Sequence, residues 1–222
     1  MIFLIGPEGS GKSTLWKRLL AECEGTIYIV SFSDALKKFM KLHKNDASLK
    51  EAIAHAEGQM LARQKKTIDP RILLGTLRMI LQECLDGKYE HCLIDGYPRI
   101  LDQARTLAQM VGEFFLNKPI VLIEAQCSRE ESFKRAVLER ALETDGPDTI
   151  NRCHNEYFET LQRLKAILLT LTHYLTVSTQ GSKEKSYENL VSELRGLLIR
   201  LQGGLNPRTA ALAAYAPVAA VS

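Results

Sequence analysis

Residues 6–14 read Gly6-Pro7-Glu8-Gly9-Ser10-Gly11-Lys12-Ser13-Thr14. Four apolar residues, Ile2-Phe3-Leu4-Ile5, run into this stretch. Residues 13–22 run out of it with Leu15, Trp16, Leu19 and Leu20 on one helical face. An apolar strand, a glycine-rich turn and a helix are the setting in which G-x-x-x-x-G-K-[ST] holds phosphate. The glycines admit backbone angles that turn successive amides inward as an anion nest. The helix adds the positive end of its dipole. Lys12 has the reach for terminal phosphates, and the Ser13 hydroxyl suits Mg²⁺. Trp16 reads as packing in the core or between helices.

Outward from this loop, strands are expected at 26–30, 91–96, 120–125 and 175–178. Helices are expected at 35–42, 49–61, 70–85, 101–116, 129–143, 149–171 and 187–201. Ser31, Ser33 and Asp34 suit a helix start, and Asp69 suits an N-cap with Pro70 in the first helical position. Residues 144–148 form an evident turn. Strands that alternate with helices predict an α/β fold: a central five-stranded parallel sheet between two helical layers. Asp95, at the end of the 91–96 strand, is the candidate second acid of the phosphate site, holding the water shell of Mg²⁺. Residues 203–222, with Gly-Gly, two prolines and an alanine-rich run, read as a flexible tail.

Composition narrows the classes. The chain has 222 residues, 45% hydrophobic and 25% charged, which excludes disordered, collagenous and disulfide-scaffold proteins. No long uncharged apolar run is present, so no membrane span is expected. Residues 1–5 lack the basic flank and length of a signal peptide, so a cytoplasmic protein is expected. The net charge of +3 suits phosphate handling and is too small for coating nucleic acid. The lysines at 37, 38, 41, 44, 65 and 66 read as solvated helix faces. Five cysteines without a C-x-x-C pair read as reduced thiols, and no zinc site is expected around Cys153 and His154. The other histidines, at 43, 55, 91 and 173, are scattered and need no catalytic role. A GTPase is disfavoured: Asn117-Lys118-Pro119-Ile120 lacks the acid of N-K-x-D, and Asp95-Gly96 lacks the D-x-x-G spacing.

Residues 93–103 read Leu93-Ile94-Asp95-Gly96-Tyr97-Pro98-Arg99-Ile100-Leu101-Asp102-Gln103. With the phosphate loop near the N-terminus, D-G-[FY]-P-R and a glutamine four residues after the arginine, the chain resembles the adenylate kinase family of nucleoside monophosphate kinases. The resemblance extends over about residues 1–202, with an acceptor-binding insert at about 31–68 and a short lid at about 140–150. It implies that Arg99 pairs with the acceptor monophosphate and that Gln103 bonds the acceptor base. It implies a cis peptide bond before Pro98. Gly96 would border the acceptor, and Ser31, Asp34 and Lys37 would begin the acceptor helix. Thr67 and Ile68 would lie in the loop whose backbone meets the base. Arg135, Arg140 and Arg152 would serve the phosphates from the lid side, and Gly181 would border the donor adenine.

The chain also departs from the family pattern. G-K-S-T replaces the usual G-K-G-T. Phe32 replaces a threonine of the acceptor helix, and a ring there is expected to alter base choice or block the pocket. Lys37 replaces an arginine and loses its forked geometry. Aligned on Tyr157, the expected lid arginine falls on Cys153. Arg152 is one place earlier, about 100° around the helix. The usual D-D pair is reduced to Asp145 and Asp148.

The expected function is transfer of the ATP γ-phosphate to a nucleoside monophosphate, AMP first, with Mg²⁺ as cofactor and the protein a monomer. Two alternatives stand beside it. One is a degenerate nucleotide-binding module with an interaction or regulatory role. The other is a kinase for a different small acceptor, whether CMP, UMP, dAMP or a non-nucleotide.

Overall fold

A computed structural model of the chain describes residues 1–22, 26–61, 68–114, 120–140, 146–169 and 172–202. All four residues of β1 (Ile2–Ile5) are buried, as a strand covered on both faces requires. Its side chains alternate between two cores. Phe3 and Ile5 join one apolar cluster, and Ile2 and Leu4 join the other. β2 (Ile27–Ser31), β3 (His91–Asp95), β4 (Val121–Gln126) and β5 (His173–Ser178) complete a five-stranded sheet. Its order is β2-β3-β1-β4-β5, and every pairing is parallel.

α1 (Lys12–Glu22) and α8 (Lys183–Gln202) cover one face, burying Leu15, Leu19, Tyr187 and Leu190. The other face carries α2 (Phe32–Leu42), α3 (Lys50–Leu61), α4 (Pro70–Asp86), α5 (Leu101–Phe114) and α7 (Pro147–Leu168). α6 (Arg129–Arg140) packs beside α7. The expected three-layer α/β/α architecture is thus borne out. α4 is the apolar spine of the larger layer: Ile72, Leu73, Leu77 and Ile80 are fully buried, each worth about 1.5–3 kcal/mol of transfer free energy. α2 and α3, between β2 and α4, bury Leu36, Phe39, Met40, Ile53 and Ala56 in the same cluster.

Local chemistry explains the element boundaries. The Asp69 carboxylate accepts from the Arg71 backbone N–H at 2.8 Å, and Pro70 opens α4 as expected. Pro147 does the same for α7, so the turn predicted at 144–148 gives way to helix at its fourth residue. α8 begins four residues before its predicted start because the Ser182 hydroxyl accepts from the Lys185 N–H at 3.1 Å. Ser31 is the N-cap of α2 in backbone conformation, but its side chain makes no capping bond. Among the described residues no helix is long and apolar enough to cross a membrane.

The topology locates the site. The chain leaves β1 through α1 on one face and leaves β3 through α5 on the other. The loops after these adjacent strands therefore diverge and open a crevice at their C-terminal ends.

Candidate active site

The loop after β1 is built from backbone. Gly9 and Gly11 have φ of +72° and +79°. A Cβ on Gly9 would stand 2.0 Å from the Ser132 carbonyl oxygen and 2.7 Å from the Ala136 nitrogen of α6, so only glycine fits there. α1 starts where the Thr14 and Leu15 N–H groups both donate to the Gly11 carbonyl at 3.1 Å. Lys12 is folded back over the loop, and its ammonium donates to the carbonyls of Gly6 (2.8 Å) and Pro7 (2.6 Å). Ser13 is exposed on the first turn of α1.

A second tie to the loop comes from α7. His154 is fully buried, and its Nε2 lies 2.9 Å from the Glu8 carbonyl. A carbonyl only accepts, so the ring proton there is on Nε2. The rings of Phe133 and Phe158 stand edgewise to the imidazole.

Asp95 ends β3 across the crevice. The Trp16 indole N–H donates to Asp95 Oδ2 at 3.0 Å, and the buried Oδ1 has no hydrogen-bond partner. Beyond it the chain turns at Gly96 (φ +79°), whose N–H donates to the Leu4 carbonyl at 2.9 Å. The Tyr97–Pro98 bond is cis, as the resemblance implied. Arg99 doubles back, donating through Nε to the Gly96 carbonyl at 2.8 Å. A Cβ on Gly96 would meet Arg99 Nη2 at 2.4 Å. Gln103 is buried, its side-chain oxygen accepting from the Arg99 backbone N–H at 2.7 Å, while the Tyr97 hydroxyl donates to its carbonyl. Gln103 thus shapes the turn that presents Arg99.

These groups surround one cavity of about 700 Å³. Its walls are the phosphate loop from Glu8 to Ser13, the start of α2 with Ser31, Asp34 and Lys37, the end of α3, and Asp95 with Arg99. The first two turns of α7 close it with Thr149 and Cys153. Phe32 is not in the wall: it is buried and stacks on Tyr97 at 4.1 Å between centroids, so its ring fills the core and leaves the cavity open. Asp34 and Lys37 form an exposed ion pair at 3.6 Å, a contact of small energy. Ile68 is buried in the apolar cluster ahead of α4.

A smaller cavity of about 320 Å³ lies on the other side of Gly11, between α6 and the loop after β5. Arg135 crosses it. Its guanidinium donates to Glu131 (2.8 Å) and to the carbonyls of Thr179 (3.0 Å) and Gly181 (3.2 Å). Gln180 ties this loop back to the Ser128 N–H at 3.2 Å. The nearby Cys127 thiol is held neutral by burial, which raises its pKa.

The lid side differs from the expectation. Arg152 pairs with Glu156 at 3.6 Å and is half exposed, whereas its neighbour Cys153 faces the cavity. Arg140 ends α6, and its side chain lies outside the described residues, as do Thr67, residues 141–145 and the tail at 203–222. α7 is held to the sheet by Lys165, whose ammonium meets the buried Glu124 carboxylate of β4 at 2.8 Å, and the Tyr174 hydroxyl donates to the same carboxylate.

Sequence reading missed Trp16 and His154 as site residues. Trp16 follows Ser13 by three, which puts both on one helical face. His154 falls between Ile150 and Tyr157 on the buried face of α7.

The arrangement fits a magnesium nucleotide. Among the described residues no three His, Cys, Asp or Glu side chains form a metal-holding group. Mg²⁺ commonly takes one or two protein groups, water and substrate phosphates, and Ser13 with the unpartnered Asp95 Oδ1 matches that pattern.

A family model described as AAA domain matches residues 5–152. Two curated adenylate kinases, from Wolbachia sp. subsp. Drosophila simulans and Wolbachia pipientis wMel, are each 29% identical over 126 residues, 57% of this chain and 53% of theirs. The chain therefore spans about half the length of these adenylate kinases. A uridylate kinase from Schizosaccharomyces pombe is 23% identical over 205 residues, 89% of this chain and 98% of that one. These relatives agree with the resemblance carried by residues 93–103.

Proposed function

The chain belongs to the AAA domain family, and from that premise we propose that it is a nucleoside monophosphate kinase, moving the ATP γ-phosphate to AMP. The observation that carries this reading is the 700 Å³ cavity, where the phosphate loop, Asp95 and Arg99 face a common space. The 320 Å³ cavity beyond Gly11 supplies room for the donor base.

In this reading the amides of residues 9–13 orient the donor phosphates, and Lys12 exchanges its loop carbonyls for β- and γ-oxygens. Arg99 keeps Nε on Gly96 and offers its two terminal nitrogens to the acceptor phosphate, a fork that suits a phosphate edge. An acceptor phosphate oxygen attacks the γ-phosphorus as the bond to the β-phosphate oxygen breaks, giving two diphosphates. Mg²⁺, held by Ser13 and through water by Asp95, would neutralise charge on the transferring group. The insert at 31–68 carries the acceptor and the lid at 140–150 excludes water, so hydrolysis does not compete.

The test measures ADP formation from ATP with AMP, dAMP, CMP and UMP in turn. Stimulation greatest with AMP supports the reading, and greatest with UMP or CMP moves the acceptor. A second reading is favoured by Cys153 standing in the cavity wall while Arg152 faces outward: a nucleotide-binding module without transfer. ATP binding with no stimulation by any monophosphate would establish it.

A further inference from the structure

We infer that Trp16 is a positioning residue that sets how tightly the site responds to Mg²⁺, by fixing the Asp95 carboxylate in one orientation. The inference deepens the proposed function and rests on its assignment of Mg²⁺ to Ser13 and Asp95.

Trp16 is about one helical turn from Ser13, and both line the large cavity. Its inner edge packs on the apolar cluster under α1, so the ring is anchored and its N–H aimed. That N–H meets Asp95 Oδ2 at 3.0 Å. A carboxylate on its own swings over a broad torsional range. An indole N–H is a donor only, so this contact holds the carboxylate at one rotation and removes Oδ2 from competition. The remaining oxygen, Oδ1, is buried without a protein partner. An ionic group left in that state is costly, and the hydration shell of a cation beside the phosphates relieves it. Trp16 therefore converts a mobile carboxylate into a single preset acceptor. Partners that orient a metal-facing group in this way commonly change metal affinity by 10- to 100-fold when removed.

Trp16→Phe keeps the ring and its packing and deletes the N–H. ATP binding is measured by calorimetry with and without Mg²⁺. The half-saturating Mg²⁺ concentration should rise by about tenfold, affinity for metal-free ATP should be unchanged, and kcat should recover at saturating Mg²⁺. An unchanged Mg²⁺ dependence overturns the inference. Asp95→Asn separates the two levels. If it shifts the Mg²⁺ dependence and Trp16→Phe does not, only the role of Trp16 fails. If neither does, the magnesium assignment itself fails. The native protein gives a test that needs no variant, because Trp16 is its single tryptophan. Adding Mg²⁺ to protein loaded with a non-hydrolysable ATP analogue should change the indole emission, and a constant emission overturns the inference.

Discussion

The two sides of the large cavity are made differently. On the sheet side, the phosphate loop and the turn after β3 work mainly through backbone. Gly9, Gly11 and Gly96 sit at positive φ, and Arg99 is strapped to the Gly96 carbonyl. On the α6–α7 side, function would depend on long side chains carried by helices. There a one-residue phase difference leaves Cys153 facing inward and Arg152 paired with Glu156 outside. Backbone geometry tolerates no drift without losing its hydrogen bonds. A side chain on a helix is redirected by one residue of register. The half that keeps the family pattern is therefore the half made of main chain, and the half that departs from it is the half made of side chains.

The contrast can be broken from its strong side first. Lys12→Ala removes the one cation inside the loop and should lower transfer on the order of 10³-fold, read as ADP formation with ATP binding followed in parallel. Retained activity would dissolve the assignment of the loop as the donor site. Arg99→Ala should lower kcat/KM for the monophosphate by about 10²-fold, with the KM for ATP little changed. An equal effect on both substrates would place Arg99 on neither phosphate alone. Gly96→Ala forces a Cβ onto the guanidinium at a φ of +79° and should cost about 1–3 kcal/mol, seen as a lower unfolding midpoint and weaker acceptor binding. Arg152→Ala should leave kcat within about twofold, because its guanidinium is half exposed and pairs at 3.6 Å with Glu156, one turn along its own helix. A tenfold loss would show that α7 rotates during turnover and that the lid side works harder than its resting geometry suggests.

Much of this was legible from residues. The strand-loop-helix around 6–14 and the acid at the end of β3 are local patterns, and the sheet follows from their alternation with helices. The start of α4 was readable from Asp69 and Pro70 because capping is a contact between neighbours. Phe32 was misjudged. The resemblance put it at the acceptor pocket in place of a threonine, but the ring it packs against, Tyr97, is 65 positions away and only the folded chain brings them together. The resemblance gives Gln103 a contact with the acceptor base, and the folded chain adds a role it did not indicate: the side-chain oxygen accepts from the turn four residues earlier.

The sequence by itself determined the phosphate loop, the α/β class and the D-G-Y-P-R turn, because each is set by contacts within a few residues. The tertiary structure decided which side chains share the cavity. It paired Trp16 with Asp95 across 79 positions and His154 with Glu8 across 146. Such pairings depend on the order of strands in the sheet and on the rotation of each helix over it, which no single stretch of the chain contains.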